Sequence, residues 1–113
     1  MRIVRGDIVL PPETPVQTAD HVLIEVHDVS FADAPSTVVA KKKLERVPLS
    51  PNGRIRFALP VPEVDVARTL ALQVHVSSKG SERVSPGDLL TTTAYPLPNN
   101  GEPPPLEVRV ATV

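Results

Sequence analysis

Four stretches of this chain place an apolar residue at every second position, and prolines punctuate the sequence between them. In HVLIEVHD, Val22, Ile24 and Val26 share one face, while Leu23, Glu25 and His27 share the other. In RIRFAL, Ile55, Phe57 and Leu59 alternate with Arg54, Arg56 and Ala58. In LALQVHVS, Leu70, Leu72, Val74 and Val76 alternate with Ala71, Gln73, His75 and Ser77, and in PLEVRVATV, Leu106, Val108 and Val110 alternate with Glu107, Arg109 and Ala111. A period of two belongs to strands that bury one face and wet the other. Ile3–Leu10, Thr37–Leu44 and Leu89–Tyr95 are weaker strands of the same kind. Between them lie the breakers PPETP, ADAP, PLSPNG, PVPE, SSKGSE, SPGD and PLPNNGEPPP. PEVDVARTL has room for one helical turn at most, with Asp65 near its start. The expected fold is all-β: one antiparallel β-sandwich over residues 1–113, with about seven to eight strands, an Ig-like or transthyretin-like architecture and little or no helix. Pro96–Pro105 reads as a loop that crosses the sandwich before the last strand.

The phases name a core: Ile3 or Val4, Ile8, Val22, Ile24, Val26, Val38, Ala40, Ile55, Phe57, Leu59, Leu70, Leu72, Val74, Val76, Leu90, Leu106, Val108 and Val110. Burying one such side chain stabilises by roughly 1.5–3 kcal/mol. Register follows from the same pattern, because a slip of one residue would drive Arg54 and Arg56 inside. The 14 prolines fit this reading, since proline suits loops and strand edges.

Composition removes several functions. With no cysteine, disulfides, thiolate zinc sites and cysteine nucleophiles are excluded. A net charge of −1 and aromatics at only 3% argue against nucleic acid as a partner, by bulk charge or by base stacking. No apolar run approaches the ~20 residues of a membrane-spanning helix, so direct insertion into a bilayer is not expected. Arg2, Arg5 and Asp7 interrupt the apolar N-terminus, which therefore lacks a signal-peptide core. The location expected of the chain as it stands is cytoplasmic, or the periplasm and outer membrane if a natural leader has been removed.

Candidate chemistry is thin. His21, His27 and His75 fall in wet phases; were their strands neighbours, His27 and His75 would meet across a face, with Glu25 as a third metal ligand. Solvent-facing strand residues are the simpler reading of all three. Glu63 and Asp65 are paired carboxylates on a loop without fixed geometry, and SKGSE, with a glycine between its two serines, sits where a hairpin loop is expected. There is no G-x-S-x-G elbow, phosphate loop or dinucleotide signature. No catalytic, metal-binding or cofactor residue is assigned.

The run Lys41-Lys42-Lys43 is the densest charge feature. It reads as an anion or acidic-partner contact, or as lysines that make an edge strand unattractive to other edges. Lys42 alternates against its neighbours and points toward the core, unless it snorkels out or a bulge resets the alternation. Just upstream, DVSFADAP reads as a turn. Asp28 and Asp33 supply short acidic side chains that bond turn backbone, Ser30 lies in the turn between them, and Pro35 starts the next strand.

The succession VRGDIVLP, HVLIEVHDVSFADAPSTVVA, IRFALP, LALQVHV and TTTAYPL resembles the YbaY/YscW-like family of small bacterial envelope proteins, over nearly the whole chain. Its most specific parts are DVSFADAP followed by VVA, and TAYP from Thr93 to Pro96. The resemblance implies a compact β-sandwich, usually tethered to the outer membrane through a lipidated cysteine, with no catalytic residues; its pilotin branch assists secretin assembly. This chain departs in having no lipobox cysteine and a longer polar hairpin, SSKGSERVSPGDLL. The function read from all this is a non-enzymatic binding or assembly module. It would hold an envelope protein or an extended peptide segment along a sheet edge or groove. An oligomerisation domain without ligand, and a histidine-based metal or hydrolytic protein, are the alternatives.

Overall fold

The computed structural model describes residues 1–31, 33–80 and 83–113. They form eight strands: β1 (Arg2–Val9), β2 (Gln17–Asp28), β3 (Thr37–Leu49), β4 (Arg54–Val61), β5 (Leu70–Ser77), β6 (Leu89–Thr91), β7 (Tyr95–Leu97) and β8 (Leu106–Thr112). The fold is all-β, with no helix among the described residues. Neighbours run in the order β3-β2-β5-β6-β8-β1-β4, and β7 lies beside β6 along β5.

β8 joins the two layers. Residues 106–109 pair with β1, and residues 110–112 pair with β6. The β1–β8 pair is parallel, whereas the other pairs are antiparallel, so the expectation of a wholly antiparallel sandwich needs this amendment. Gly6 marks the close approach. A Cβ there would lie 2.5 Å from the Leu106 carbonyl oxygen, so only glycine fits without moving β8. Where β8 changes partners, the Arg109 N–H donates to the Tyr95 hydroxyl at 2.8 Å.

The core follows the alternation. Val4, Ile8, Val22, Ile24, Val26, Ile55, Phe57, Leu59, Leu70, Leu72, Val74, Val76, Val108 and Val110 are buried. Val38 is not, because β3 carries a bulge: Val26 faces Ala40 but His27 faces Val38, which puts Val38 on the outer face with His27. Ala40, Leu90 and Leu106 are half-buried rather than central. A second irregularity lies at Arg46, whose left-handed φ of 53° coincides with a break in the β2–β3 ladder between His21 and Ala19. Beyond it the inward phase changes, so Ala19, Val47 and Leu49 enter the core.

Prolines within strands all sit on sheet edges. Pro48 is in β3, Pro60 in β4 and Pro96 in β7, where a missing N–H breaks no central ladder. Residues 96–105 are thus not all loop: Pro96 and Leu97 belong to β7, and Leu97 is buried. The remaining segment clasps the start of β1. Arg2 Nη1 donates to the carbonyls of Pro98 and Gly101, and the Ile3 N–H donates to Glu102.

Candidate functional site

β3 and β4 are the two ends of the strand order, and no hydrogen-bonded ladder joins them. They are consecutive in the chain, linked by a tight turn in which the Gly53 N–H donates to the Ser50 carbonyl and Asn52 takes a positive φ. The two edges therefore face each other across an open seam. One side chain spans it: Lys42 Nζ donates to the Ala58 carbonyl of β4 at 3.1 Å. Alternate residues of a strand turn their backbone groups to the same side. Ala58 faces the seam, so Arg54 and Arg56 present their N–H and C=O groups there as well, and Pro60 presents a carbonyl only.

Along the seam lies a groove of about 660 Å³. Leu44, Phe57, Gly6 and Pro105 supply apolar lining, and Lys42, Arg5, Arg56 and Asp7 bring charge to it. Lys41 and Lys43 are exposed on the outer side of β3, and Lys42 is half-buried on the Ala40 and Leu44 side. The inward lysine is accommodated by reaching past the strand edge to a carbonyl, and it lines the groove together with Leu44. Arg54 and Arg56 lie 3.6 Å and 3.7 Å from Asp7, and Arg5 lies 3.4 Å from Glu102. Arg5, Arg56, Ala58 and Pro105 were not assigned to any site from the sequence. The basic alternation of β4 was visible there, but which strands end the sheet is a property of pairing.

The turn after β2 is built on Asp28. Its carboxylate accepts from the Ser30 N–H at 3.0 Å and from the Ser30 hydroxyl, and it lies 3.3 Å from Arg68 Nη1. The Ser30 hydroxyl and N–H hold the Asp28 carboxyl below its usual range, with burial opposing and the Arg68 charge assisting. Ser30 Oγ also accepts from the Thr69 N–H at 2.8 Å, and the Arg68 guanidinium stacks 5.5 Å from the Phe31 ring centre. Asp28 and Ser30 thus fasten this turn to the 62–69 loop. Asp33 and Pro35 are exposed in the turn, and Ala32, within the ADAP breaker, lies outside the described residues.

The histidines do not form the arrangement that a metal site would need. β2 and β5 do pair, but His75 lies opposite Leu23 and His27 opposite Ala71. His27 contacts Glu25 at 3.1 Å and Ser36 at 2.8 Å. His75 and His21 are buried rather than wet, and their rings meet edge to face with centres 6.3 Å apart. Residues on either side of the undescribed pair close over this face: Gly80 packs against Asp20, and buried Asp88 meets His75 Nε2 at 2.8 Å. Burial pushes the Asp88 carboxyl up. Hydrogen bonds from His75, from the Ser85 N–H at 3.0 Å and from Ser78 outweigh that and leave it below the usual range. Within SKGSE, Ser81 and Glu82 lie outside the described residues. Among the described residues no three histidine or carboxylate side chains converge as a metal site. Asp65 caps its own turn through the Ala67 N–H at 3.0 Å, and Glu63 is exposed beside it.

No family model matches the chain, and no curated protein matches it. Among solved structures, it is similar to an alternative pilotin from the type II secretion system of Vibrio cholerae. The alignment covers 99% of this chain and 100% of that one, with a TM-score of 0.58 and 20% identity. The chain shares its fold with that pilotin. At this identity the likeness is one of architecture, and it extends over the whole length of both chains.

Proposed function

We propose that this protein is a non-enzymatic binding and assembly module whose β3–β4 seam receives an extended segment of a partner polypeptide. The observation that carries this reading is the pair of facing, unladdered edges with an apolar-floored groove between them. Adding a strand there would give the partner backbone hydrogen bonds along an edge and alternating side-chain positions in the groove, the physics of strand addition. The likeness to a pilotin supports a role in assembling a bacterial secretion apparatus, with another envelope protein as the natural partner. The resemblance to YbaY/YscW-like proteins, and to the pilotin branch among them, belongs to the same reading.

The test is amide hydrogen exchange with the full chain and a strand-length peptide of alternating valine and glutamine. Slower exchange at Arg54, Arg56 and Ala58 is expected, and Arg56→Pro, which removes one seam-facing N–H, should abolish it. Protection confined to other strands, or none at saturating peptide, would remove the seam from consideration.

A further inference from the structure

The seam is basic in a chain whose net charge is −1. β3 carries Lys41, Lys42, Lys43 and Arg46 against the single carboxylate of Glu45, and β4 carries Arg54 and Arg56 with no carboxylate of its own. Arg54 is paired with Glu107 at 3.3 Å and Asp7 at 3.6 Å, whereas Arg56 has Asp7 at 3.7 Å and a side chain that remains 91% exposed. Lys42 is different. Its ammonium donates to a backbone carbonyl, and no carboxylate pairs with it among the described residues. That carbonyl, on Ala58, is one that an incoming strand would need as an acceptor for its own N–H.

Resting on the strand-docking reading above, we infer that the seam selects an acidic segment, with carboxylates alternating with apolar residues, and that Lys42 is the latch it displaces. In the empty seam the Lys42 ammonium satisfies the Ala58 carbonyl. When a strand enters, a backbone N–H of the partner takes that carbonyl, and the released ammonium must find another acceptor in a half-buried place. A carboxylate on the entering segment supplies it as a charge-assisted hydrogen bond. A neutral side chain leaves the ammonium poorly satisfied, and a basic one adds repulsion from Arg5 and Arg56 at the same groove. Lysine thus closes the edge to indiscriminate strands while giving the right segment a partner, which combines the two readings of the Lys41–Lys43 run.

The experiment uses the full chain and three strand-length peptides in which valine alternates with glutamate, glutamine or lysine, with affinity measured by fluorescence anisotropy at low and high salt. The glutamate peptide should bind about tenfold more tightly than the glutamine peptide, a difference of about 1.4 kcal/mol. High salt should shrink that preference. In Lys42→Met the two effects should have opposite signs: the glutamate peptide loses affinity, and the glutamine peptide gains because no ammonium has to be displaced. Lys41→Met, on the outer side of β3, should leave the glutamate-to-glutamine ratio closer to that of the unaltered protein than Lys42→Met does. Equal binding of the glutamate and glutamine peptides, or a preference for lysine, would overturn the acidic assignment and leave strand docking in place. Failure of all three peptides to bind would remove the docking reading itself. The peptide comparison on the unaltered protein decides the selectivity even if Lys42→Met does not fold.

Discussion

At the scale of single residues, two carboxylates hold loops in place. Asp88 is the more consequential, because it is buried and serves His75, Ser78 and Ser85 at once, while its own backbone carbonyl accepts from the Val113 N–H at 2.9 Å. Asp88→Ala would leave these donors without their shared acceptor, at an expected cost of about 2 kcal/mol in urea denaturation at neutral pH. Asp88 and Asp28 both titrate below the ordinary aspartate value of 3.8 in the folded chain. As acid is added, the unfolded chain therefore takes up these protons first. The stabilisation is complete above the unfolded value and is lost as pH falls through the folded ones. Thermal melts from neutral pH down to about pH 2 should show a steep acid limb. Asp28→Asn and Asp88→Asn should each flatten it; an unchanged limb in both would assign the acid sensitivity to other carboxylates.

At the scale of elements, the bulge at the start of β3 makes a sharp distinction between two aliphatic residues that look alike in the sequence. Val38 is 44% exposed, and Leu72 is fully buried on β5. Val38→Thr should change stability by no more than about 0.5 kcal/mol, whereas Leu72→Ala should cost about 2–5 kcal/mol. Gly6→Ala should cost about 1–3 kcal/mol, since its methyl would press on the Leu106 backbone. Equal losses for Val38→Thr and Leu72→Ala would place Val38 in the core and remove the bulge. These cases also define what was legible beforehand. Alternation named most of the core, because a strand's inward face is a local property. It missed Leu10, Ala19, Val47, Leu49, Val61, Leu89 and Leu97, which lie at or beyond the ends of the clear runs. It also misplaced Val38, because a bulge is set by the partner strand. The burial of His21 and His75 was hidden for a related reason: they occupy the outer phase of their strands, and their partners there, Asp88 and each other's rings, come from pairing and from a distant loop residue.

At the scale of the molecule, one strand carries the hydrogen-bonded continuity between the layers. β8 gives its first half to β1 and its second half to β6, while β3 and β4, at the other side, leave the seam unladdered. Half of the seam was legible: the Lys41–Lys43 run pointed to an edge at β3, which does end the strand order, whereas β4 alternates like an interior strand and only Pro60 marks it locally. An open seam and a bridging strand together predict where cooperativity is weakest. Without residues 110–113, the β4–β1–β8 layer would keep no strand ladder to the β2–β5 layer, leaving side-chain packing and the chain connections to hold the two together. The truncation would also remove Val110 from the core and the Val113 contact from Asp88. Deleting residues 110–113 should therefore abolish two-state unfolding, with the loss of β1 and β4 amide protection preceding that of β2 and β5 in native-state hydrogen exchange. Tyr95→Phe should be a milder version of the same lesion, costing about 1 kcal/mol while the transition stays cooperative. A truncated chain that still unfolds in a single transition, with both layers exchanging together, would show that side-chain packing across the core holds the layers as one unit and that the β8 crossover is dispensable.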